Sequence, residues 1–503
     1  MEKNVLLWLE NRIKVDANKV AYTEKDGTSI DYSSLADMSK RIGSALSCVD
    51  DKKPIAVICG RHVSTIAAFL GVVYSGHAYA PIDGKMPLNR IKAIIEVLRP
   101  STILADEENL EVAEEIRGYC DATLFRLEEI SKSDINETKL IQIRNSMVMT
   151  DPLYVIFTSG STGKPKGVIT SHQSLMCYIE SYTRVMRIDS DDVLGNQSPL
   201  DYIAAIRDIY LPLYTGCSTV IIPKEYFMQP DVLFEYMNQH QITAVGWSVS
   251  ALTILSSLGA FEDSKPEYLK KVCFSGSVMP CKCLSQWQSN LPDTKFVNQY
   301  GPTEATASCT YYEVNHTVTD EEVLPIGTPY YHYRVFLLNE DLTPTKVGEI
   351  GEICVSGPIL ALGYYNDEER TAKSFTRNPN CKGYPELMYM TGDYGRVRED
   401  GLLEFHGRKD RQIKHLGHRI ELDEVECAAN VIDGIDESVC LYNNEKEVLY
   451  LFYSGHATVR DISIELRKVL PEFMVPRKIR QLDTIPKLPN GKIDMNTLKE
   501  NMK

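Results

Sequence analysis

No apolar stretch in this chain is long enough to cross a bilayer. The longest, VSTIAAFLGVVYS from Val63 to Ser75, falls short of a membrane span and follows Arg61 and His62. The opening segment, MEKNVLLWLENRIKV, has acidic residues around its short apolar stretch and no small-residue cleavage site, so it does not read as a secretory signal. Positive charge is also scarce. Lys and Arg number 54 against 69 Asp and Glu, and the net charge of −15 argues against a general nucleic-acid or anionic-membrane binder while leaving room for a local basic pocket. No repeat of a solenoid and no low-complexity run shows. A disulfide framework is not indicated either. The 13 cysteines are odd in number, and several lie in strand-like segments (VICG, VCFSG, EICVSG), the pattern of reduced thiols in a cytoplasmic protein. Cys281 and Cys283 (CKC) have the wrong spacing for a zinc knuckle, and no second pair lies nearby.

What is present is the composition of a folded globular chain, 43% hydrophobic and 24% charged, and 503 residues exceed one compact core. Up to about residue 400, short β-rich runs (PIAVICG, STILAD, LYVIFTS, STVIIP, ITAVGW, KKVCFSG) alternate with longer helical patterns. That alternation predicts an α/β fold, with parallel-type sheets flanked by helices in a large N-terminal domain. After Gly348 the segments GEIGEICVSG, GLLEFHGR and KHLGHRIEL suggest a small antiparallel or barrel-like β subdomain. From about Asp410 the strand-like SVCLYNN and EVLYLFYSG, and the amphipathic VRDISIELRKVL ended by Pro471, predict a small α+β C-terminal domain. The expected division is 1–409 and 410–503, with the Gly-punctuated Gly407–Arg411 segment as a hinge.

The segment richest in chemistry is TSGSTGKPKG, residues 158–167, directly after the strand-like LYVIF. Glycines interleaved with hydroxyls and two lysines can present backbone N–H groups, O–H donors and ammonium charge to a polyphosphate. A Walker loop requires Ser or Thr after its lysine, whereas Lys164 is followed by Pro165, which also disfavours the helix such a loop must open.

This segment resembles the phosphate loop of the adenylate-forming superfamily, which includes acyl-CoA synthetases, luciferases and adenylation domains of nonribosomal peptide synthetases. YSGHAYAPID, NQYGPTEAT, GEIGEICVSGPILALGYYND, YMTGDYGR, GRKDRQIKHLGHRIELDEVE and LPNGKID follow in the superfamily's order and spacing. Their wording is most similar to amino-acid adenylation domains and D-alanine–carrier-protein ligases. The resemblance implies ATP and Mg²⁺ as cofactors and joining of a carboxylic acid to AMP, followed by transfer to the phosphopantetheine thiol of a carrier protein supplied in trans. It implies that Thr158, Ser159, Gly160, Ser161, Thr162, Gly163, Lys164 and Lys166 hold the β- and γ-phosphates. Thr303 would bond the α-phosphate, Glu304 would place Mg²⁺, Tyr300 would stack on adenine, and Asp393, helped by Arg408, would accept the ribose hydroxyls. Lys492 would reach into the site for the first step. Asp410 matches the hinge about which the small domain swings, and Lys414 and Gly417 lie on the loop that would approach the pantetheine. His172 would line the pocket or cap a helix.

The substrate segment departs from the amino-acid-activating pattern. Relatives that activate amino acids commonly read QxPFxFDxSVxDIY, whose Asp pairs with the α-ammonium; here the aligned QSPLDYIAAIRDIY, residues 197–210, puts Ile203 at that position. A buried ammonium without a counter-charge is costly, so the expected substrate lacks an α-amino group: an aryl, keto or other acyl acid. Asp201, two positions upstream, is the alternative ammonium partner and would restore amino-acid activation. Tyr202, Ala204, Arg207, Ser250, Cys273, Ser275, Gln299, Ala307 and Ser308 match the remaining pocket positions; many are small, and Arg207 and Gln299 offer donors to a distal carboxylate, carbonyl or phenol. An acyl-CoA synthetase and a non-catalytic binding relative are the rival readings.

Overall fold

The structure is a computed structural model and describes residues 2–160, 164–409, 411–444, 446–487 and 493–502. It divides into two compact units: Met1–Gly84, Leu98–Phe157 and Gly167–Lys409 form the larger; Lys85–Val97, Thr158–Lys166 and Asp410–Lys503 form the smaller.

The larger unit is built on two predominantly parallel sheets. In the nine-stranded sheet, Ser218–Ile221, Val193–Asn196, Ala244–Ser248, Lys271–Ser275 and Lys295–Tyr300 run parallel, and antiparallel strands close both edges. The strands expected from PIAVICG and STILAD, now Ile55–Ile58 and Thr102–Ala105, pair in parallel in the seven-stranded sheet. Between the sheets lies one apolar core. It holds nearly every residue of the helix Val63–Tyr74, a segment apolar all round and hence fit only for burial. Side chains alternate across the nine-stranded sheet: Val245, Trp247, Val272, Phe274 and Phe296 enter a second core on its other face.

GEIGEICVSG and GLLEFHGR contribute Ile350–Ser356 and Leu403–Arg408 to a five-stranded antiparallel sheet with Arg334–Leu338, Phe375–Arg377 and the long strand Leu387–Val397. The third segment expected in that region, KHLGHRIEL, does not join it. Its strands Gln412–His415 and His418–Glu421 pair with each other as a hairpin of the smaller unit. The linking residues Leu416 and Gly417 both have positive φ, 51° and 81°. A two-residue loop with that geometry matches the right-handed twist of the strands it joins.

Two helices of the larger unit carry the candidate residues His172 and Arg207. His172–Met186 is capped by Ser171, whose hydroxyl accepts from the Ser174 N–H. Ile206–Thr215 contains Pro212, which has no N–H to give the Asp208 carbonyl one turn back. The Thr219 hydroxyl donates to that carbonyl instead, at 2.8 Å. Tyr32 Oη donates to the Pro212 carbonyl at 2.8 Å and Tyr22 Oη to the Ile209 carbonyl at 2.5 Å, so three hydroxyls from elsewhere pin this helix.

In the smaller unit, Ile435–Asn443, Val448–Gly455 and Lys478–Gln481 form a three-stranded sheet packed with the helices Leu422–Asn430 and Val459–Val469. The latter ends just before Pro471, as expected. Arg411 ties the entry of this unit down, donating to Asp423 at 3.0 Å, to both Glu426 oxygens and to the Cys440 carbonyl. No helix among the described residues is long and apolar enough to cross a membrane.

Candidate active site

The parallel strands of the nine-stranded sheet end at Ser248, Ser275 and Tyr300, and the turn after Tyr300 carries the T-E of NQYGPTEAT. Crevices at the carboxyl ends of such strands are where open α/β sheets bind ligands. Gly301 allows the turn to fold back tightly, since a Cβ there would stand 2.5 Å from Ser308 Cα. Thr306 and Ala307 then take positive φ, 47° and 72°. Two successive non-glycine residues in that region store strain of about 1–3 kcal/mol each. Thr306 Oγ1 helps hold the turn by donating to the Ile359 carbonyl at 2.7 Å.

Glu304 is fully buried in this turn, and Tyr364 Oη donates to its Oε1 at 2.8 Å. Thr303 beside it is also buried. Tyr300 Oη donates to Asp393 Oδ2 at 2.5 Å, and Arg408 Nη1 donates to Asp393 Oδ1. Asp393 and Arg408 are directly opposed across adjacent strands, next to a register shift in their pairing. Burial, with Asp393 alongside, pushes the Tyr300 phenol far above its ordinary range, so it remains a donor. Tyr300 and Arg408, from separate strands, thus both bind one carboxylate.

The acyl-pocket candidates lie on one face of the same sheet. Gly246 is in register with Cys273, and Ser275 with Gln299. Strand alternation turns Gly246, Cys273, Ser275 and Gln299 to the face opposite Trp247 and Phe274. Tyr182 Oη lies 3.0 Å from Cys273 Sγ. Arg207 is buried at 2% exposure and stacks over the Tyr182 ring, with Cζ 5.7 Å from its centroid. Ser308 Oγ donates to Gln299 Oε1 at 3.4 Å. Ile203 belongs to the main apolar core, with Tyr202 packed against it. Asp201 is half-buried, and its charged neighbours are Asp83 and Lys224; burial and then Asp83 push its carboxyl up to about 7, against the pull of Lys224. Ser250 is buried in the first turn of the helix Val249–Ser257.

Within the smaller unit, the Thr158 hydroxyl is buried with no partner among the described residues, and Ser159 Oγ donates to the Arg419 carbonyl at 2.8 Å. Lys166 is buried and Lys164 exposed. Lys414 stands opposite Arg419 on the hairpin whose turn holds Gly417. Ser161, Thr162, Gly163, Asp410 and Lys492 lie outside the described residues. His172 begins its helix but does not cap it; it is buried, its Nδ1 accepts from the Val5 N–H at 3.5 Å, and desolvation lowers its pKa to about 4. All 13 cysteines are free thiols, with Cys281 and Cys283 buried in an apolar core. Reading the sequence missed Tyr364 as the partner of Glu304, although it stands in the quoted segment GPILALGYYND, and missed Gly246 beneath Arg207.

The profile of the family described as "AMP-binding enzyme" matches residues 9–365, and the chain belongs to that family. It is 31% identical to the D-alanine–D-alanyl carrier protein ligase of Bacillus cytotoxicus, covering 96% of each chain. It is 30% identical to bacitracin synthase 1 of Bacillus licheniformis over 88% of its own length, but spans only 8% of that relative. Among solved structures it superposes with a TM-score of 0.84 on the Vibrio cholerae adenylation domain AlmE in complex with glycyl-adenosine-5'-phosphate. That match has 20% identity and covers 100% of this chain and 98% of that one, a likeness of fold.

Proposed function

We propose that this protein is a freestanding adenylation enzyme. It couples ATP cleavage to formation of an acyl-adenylate and passes the acyl group to the phosphopantetheine thiol of a separate carrier protein. The observation that carries this reading is the Asp393 carboxylate, held by the Tyr300 phenol and the Arg408 guanidinium at the strand ends. A buried carboxylate fixed from two sides keeps lone pairs for a vicinal diol, which suits the ribose of a nucleotide. Likeness to the carrier protein ligases along 96% of each chain supports a carrier protein as the acyl acceptor.

In the first step an oxygen of the substrate carboxylate attacks the α-phosphorus of ATP and pyrophosphate leaves. The chain's part is positioning and charge neutralisation. Thr303 bonds the α-phosphate; Thr158, Ser159 and the lysines of the loop hold the β- and γ-phosphates, and the Thr158 hydroxyl, without a partner among the described residues, is a donor suited to an anion. Lys492 would bridge the carboxylate and the phosphate as a point charge. Glu304, a buried carboxylate anchored by Tyr364, would hold Mg²⁺, which would supply charge neutralisation as pyrophosphate leaves. In the second step the thiolate attacks the acyl carbon and AMP leaves, with the Lys414–Gly417 hairpin receiving the pantetheine arm.

Burial of Ile203 in the apolar core supports a substrate without an α-ammonium. A second reading rests on Asp201, a desolvated carboxyl beside another acid, which an incoming ammonium would relieve. ATP–pyrophosphate exchange with paired amino and deamino acids decides between them. The acyl acceptor is tested by offering the adenylate either a holo carrier protein or free CoA. Thioester formed only on the carrier is the expected result, and equal use of CoA would reassign the protein to the CoA synthetases.

A further inference from the structure

The fold makes room for the Arg207 guanidinium and, among the described residues, gives it no ion pair. A Cβ on Gly246 would stand 2.8 Å from Arg207 Cζ and 2.9 Å from Nε, so the glycine opens the space this side chain fills. Nη2 donates to the Gly246 carbonyl at 2.6 Å, while Nε is buried without an acceptor among the described residues.

The charges nearby leave a cation in excess. Among the described residues the acidic group beside Arg207 is Asp208, whose Oδ2 already accepts from Asn196 Nδ2 at 2.7 Å; Asn196 Oδ1 in turn accepts from Arg61 Nη2 at 2.5 Å. Two guanidiniums share one carboxylate, and no ion pair to Arg207 is found among the described residues. Tyr178, Tyr182, Tyr330 and Cys273, its other titratable neighbours, are buried phenols and a buried thiol whose pKa values burial raises, so they stay neutral. Arg207 also occupies the first turn of its helix, the pole that disfavours a cation. The uncharged groups here offer donors as well: the Tyr178 hydroxyl and Gln299 Nε2 are buried and unpartnered among the described residues. A buried charge with donors around it and no ion-pair partner among the described residues is a site lacking its ligand.

We propose that Arg207 binds a second carboxylate of the substrate, so that the enzyme activates one end of a dicarboxylic acid while the guanidinium, with Gln299 and Tyr178, holds the other. The planar guanidinium matches a carboxylate better than a point charge does. This rests on the adenylation reading above and narrows its substrate class.

The test is ATP–pyrophosphate exchange by the parent, Arg207→Met and Arg207→Lys. The probes are the dicarboxylates from malonate to suberate, the benzene dicarboxylates, and both enantiomers of aspartate and glutamate, each beside the monoacid in which methyl replaces the distal carboxylate. The parent is expected to favour one diacid over its monoacid by about a hundredfold or more in kcat/KM. Arg207→Met should reverse that preference by a similar factor, and Arg207→Lys should keep part of it. Should Arg207→Met fail to fold, Gly246→Ala displaces the same guanidinium and should narrow the preference. Equal use of diacid and monoacid by the parent, or one common loss on every acid in Arg207→Met, overturns the proposal. Melting temperatures separate it from the parent reading. If no acid drives exchange but a diacid stabilises the parent and not Arg207→Met, the carboxylate site stands and adenylation falls; no exchange and no shift reject both.

Discussion

Tyr300→Phe removes one hydroxyl from the proposed nucleotide site and leaves the ring in place against Phe405, with centroids 6.2 Å apart. The lost bond is short, 2.5 Å, joins two buried groups and ends on a carboxylate. Hydrogen bonds onto charged groups contribute about 1.5–3 kcal/mol. Since this one exists before nucleotide binds, part of its loss lowers folding stability, by a few degrees in apparent melting temperature. The rest comes from the freedom Asp393 gains with Arg408 as its remaining side-chain anchor. About 1.4 kcal/mol is tenfold in rate, so kcat/KM for ATP in pyrophosphate exchange should fall roughly ten- to hundredfold. Asp393→Asn and the double variant complete a cycle that reads the coupling directly. If Tyr300 acts through Asp393, the second substitution costs much less in the Tyr300→Phe background, by about 1–2 kcal/mol. Unchanged exchange kinetics in Tyr300→Phe, or strictly additive losses, would refute the positioning argument.

Lys492→Ala should lower acyl-adenylate formation by about a hundredfold or more while equilibrium ATP binding is largely kept; equal exchange rates would remove Lys492 from the first step. His172 is held neutral in the fold with a pKa of about 4, below its unfolded value near 6.5, so the unfolded chain takes up the proton first on acidification. Its contribution is therefore full above the unfolded value and is lost as pH falls between the two, by about 2 kcal/mol from neutrality to near pH 5. His172→Gln should flatten that part of the pH–stability profile measured by denaturant melts. Gly417→Ala puts a side chain at a φ of 81° in the hairpin turn and should cost about 1 kcal/mol of local stability. Thioester transfer should fall more than pyrophosphate exchange; parallel losses in both steps would count against a pantetheine-facing role.

Much of the scaffold was legible because β-rich runs alternate with helical ones, and the segments 242–247 and 270–276 became adjacent parallel strands a residue or two displaced. The site side of those strands was also written as alternation, with small or polar Gly246, Cys273 and Ser275 interleaved with Trp247 and Phe274. What could not be read were pairings made by folding alone. Tyr364 reaches Glu304 across 60 residues and Tyr300 reaches Asp393 across 93. Arg207 was ambiguous because an arginine at a helix start is ordinarily solvated; what decides its burial is a glycine 39 positions later. The positive φ of Thr306 and Ala307 was hidden because neither residue advertises it, whereas Gly417 did mark its turn. The Gly-punctuated texture of KHLGHRIEL matches that of the antiparallel sheet; pairing partners, which texture does not encode, put it elsewhere.

The proline within the pocket helix has a bearing on which molecules the enzyme would turn away. Sliding that helix to admit a longer acid would break the contacts of Thr219, Tyr32 and Tyr22 with its carbonyls, each worth about 1 kcal/mol. In the proposed pocket the helix would therefore serve as a ruler of fixed length. A cargo one methylene too long meets a stiff end-stop, and new tastes would be acquired by exchanging residues on the helix while its backbone stays where it is.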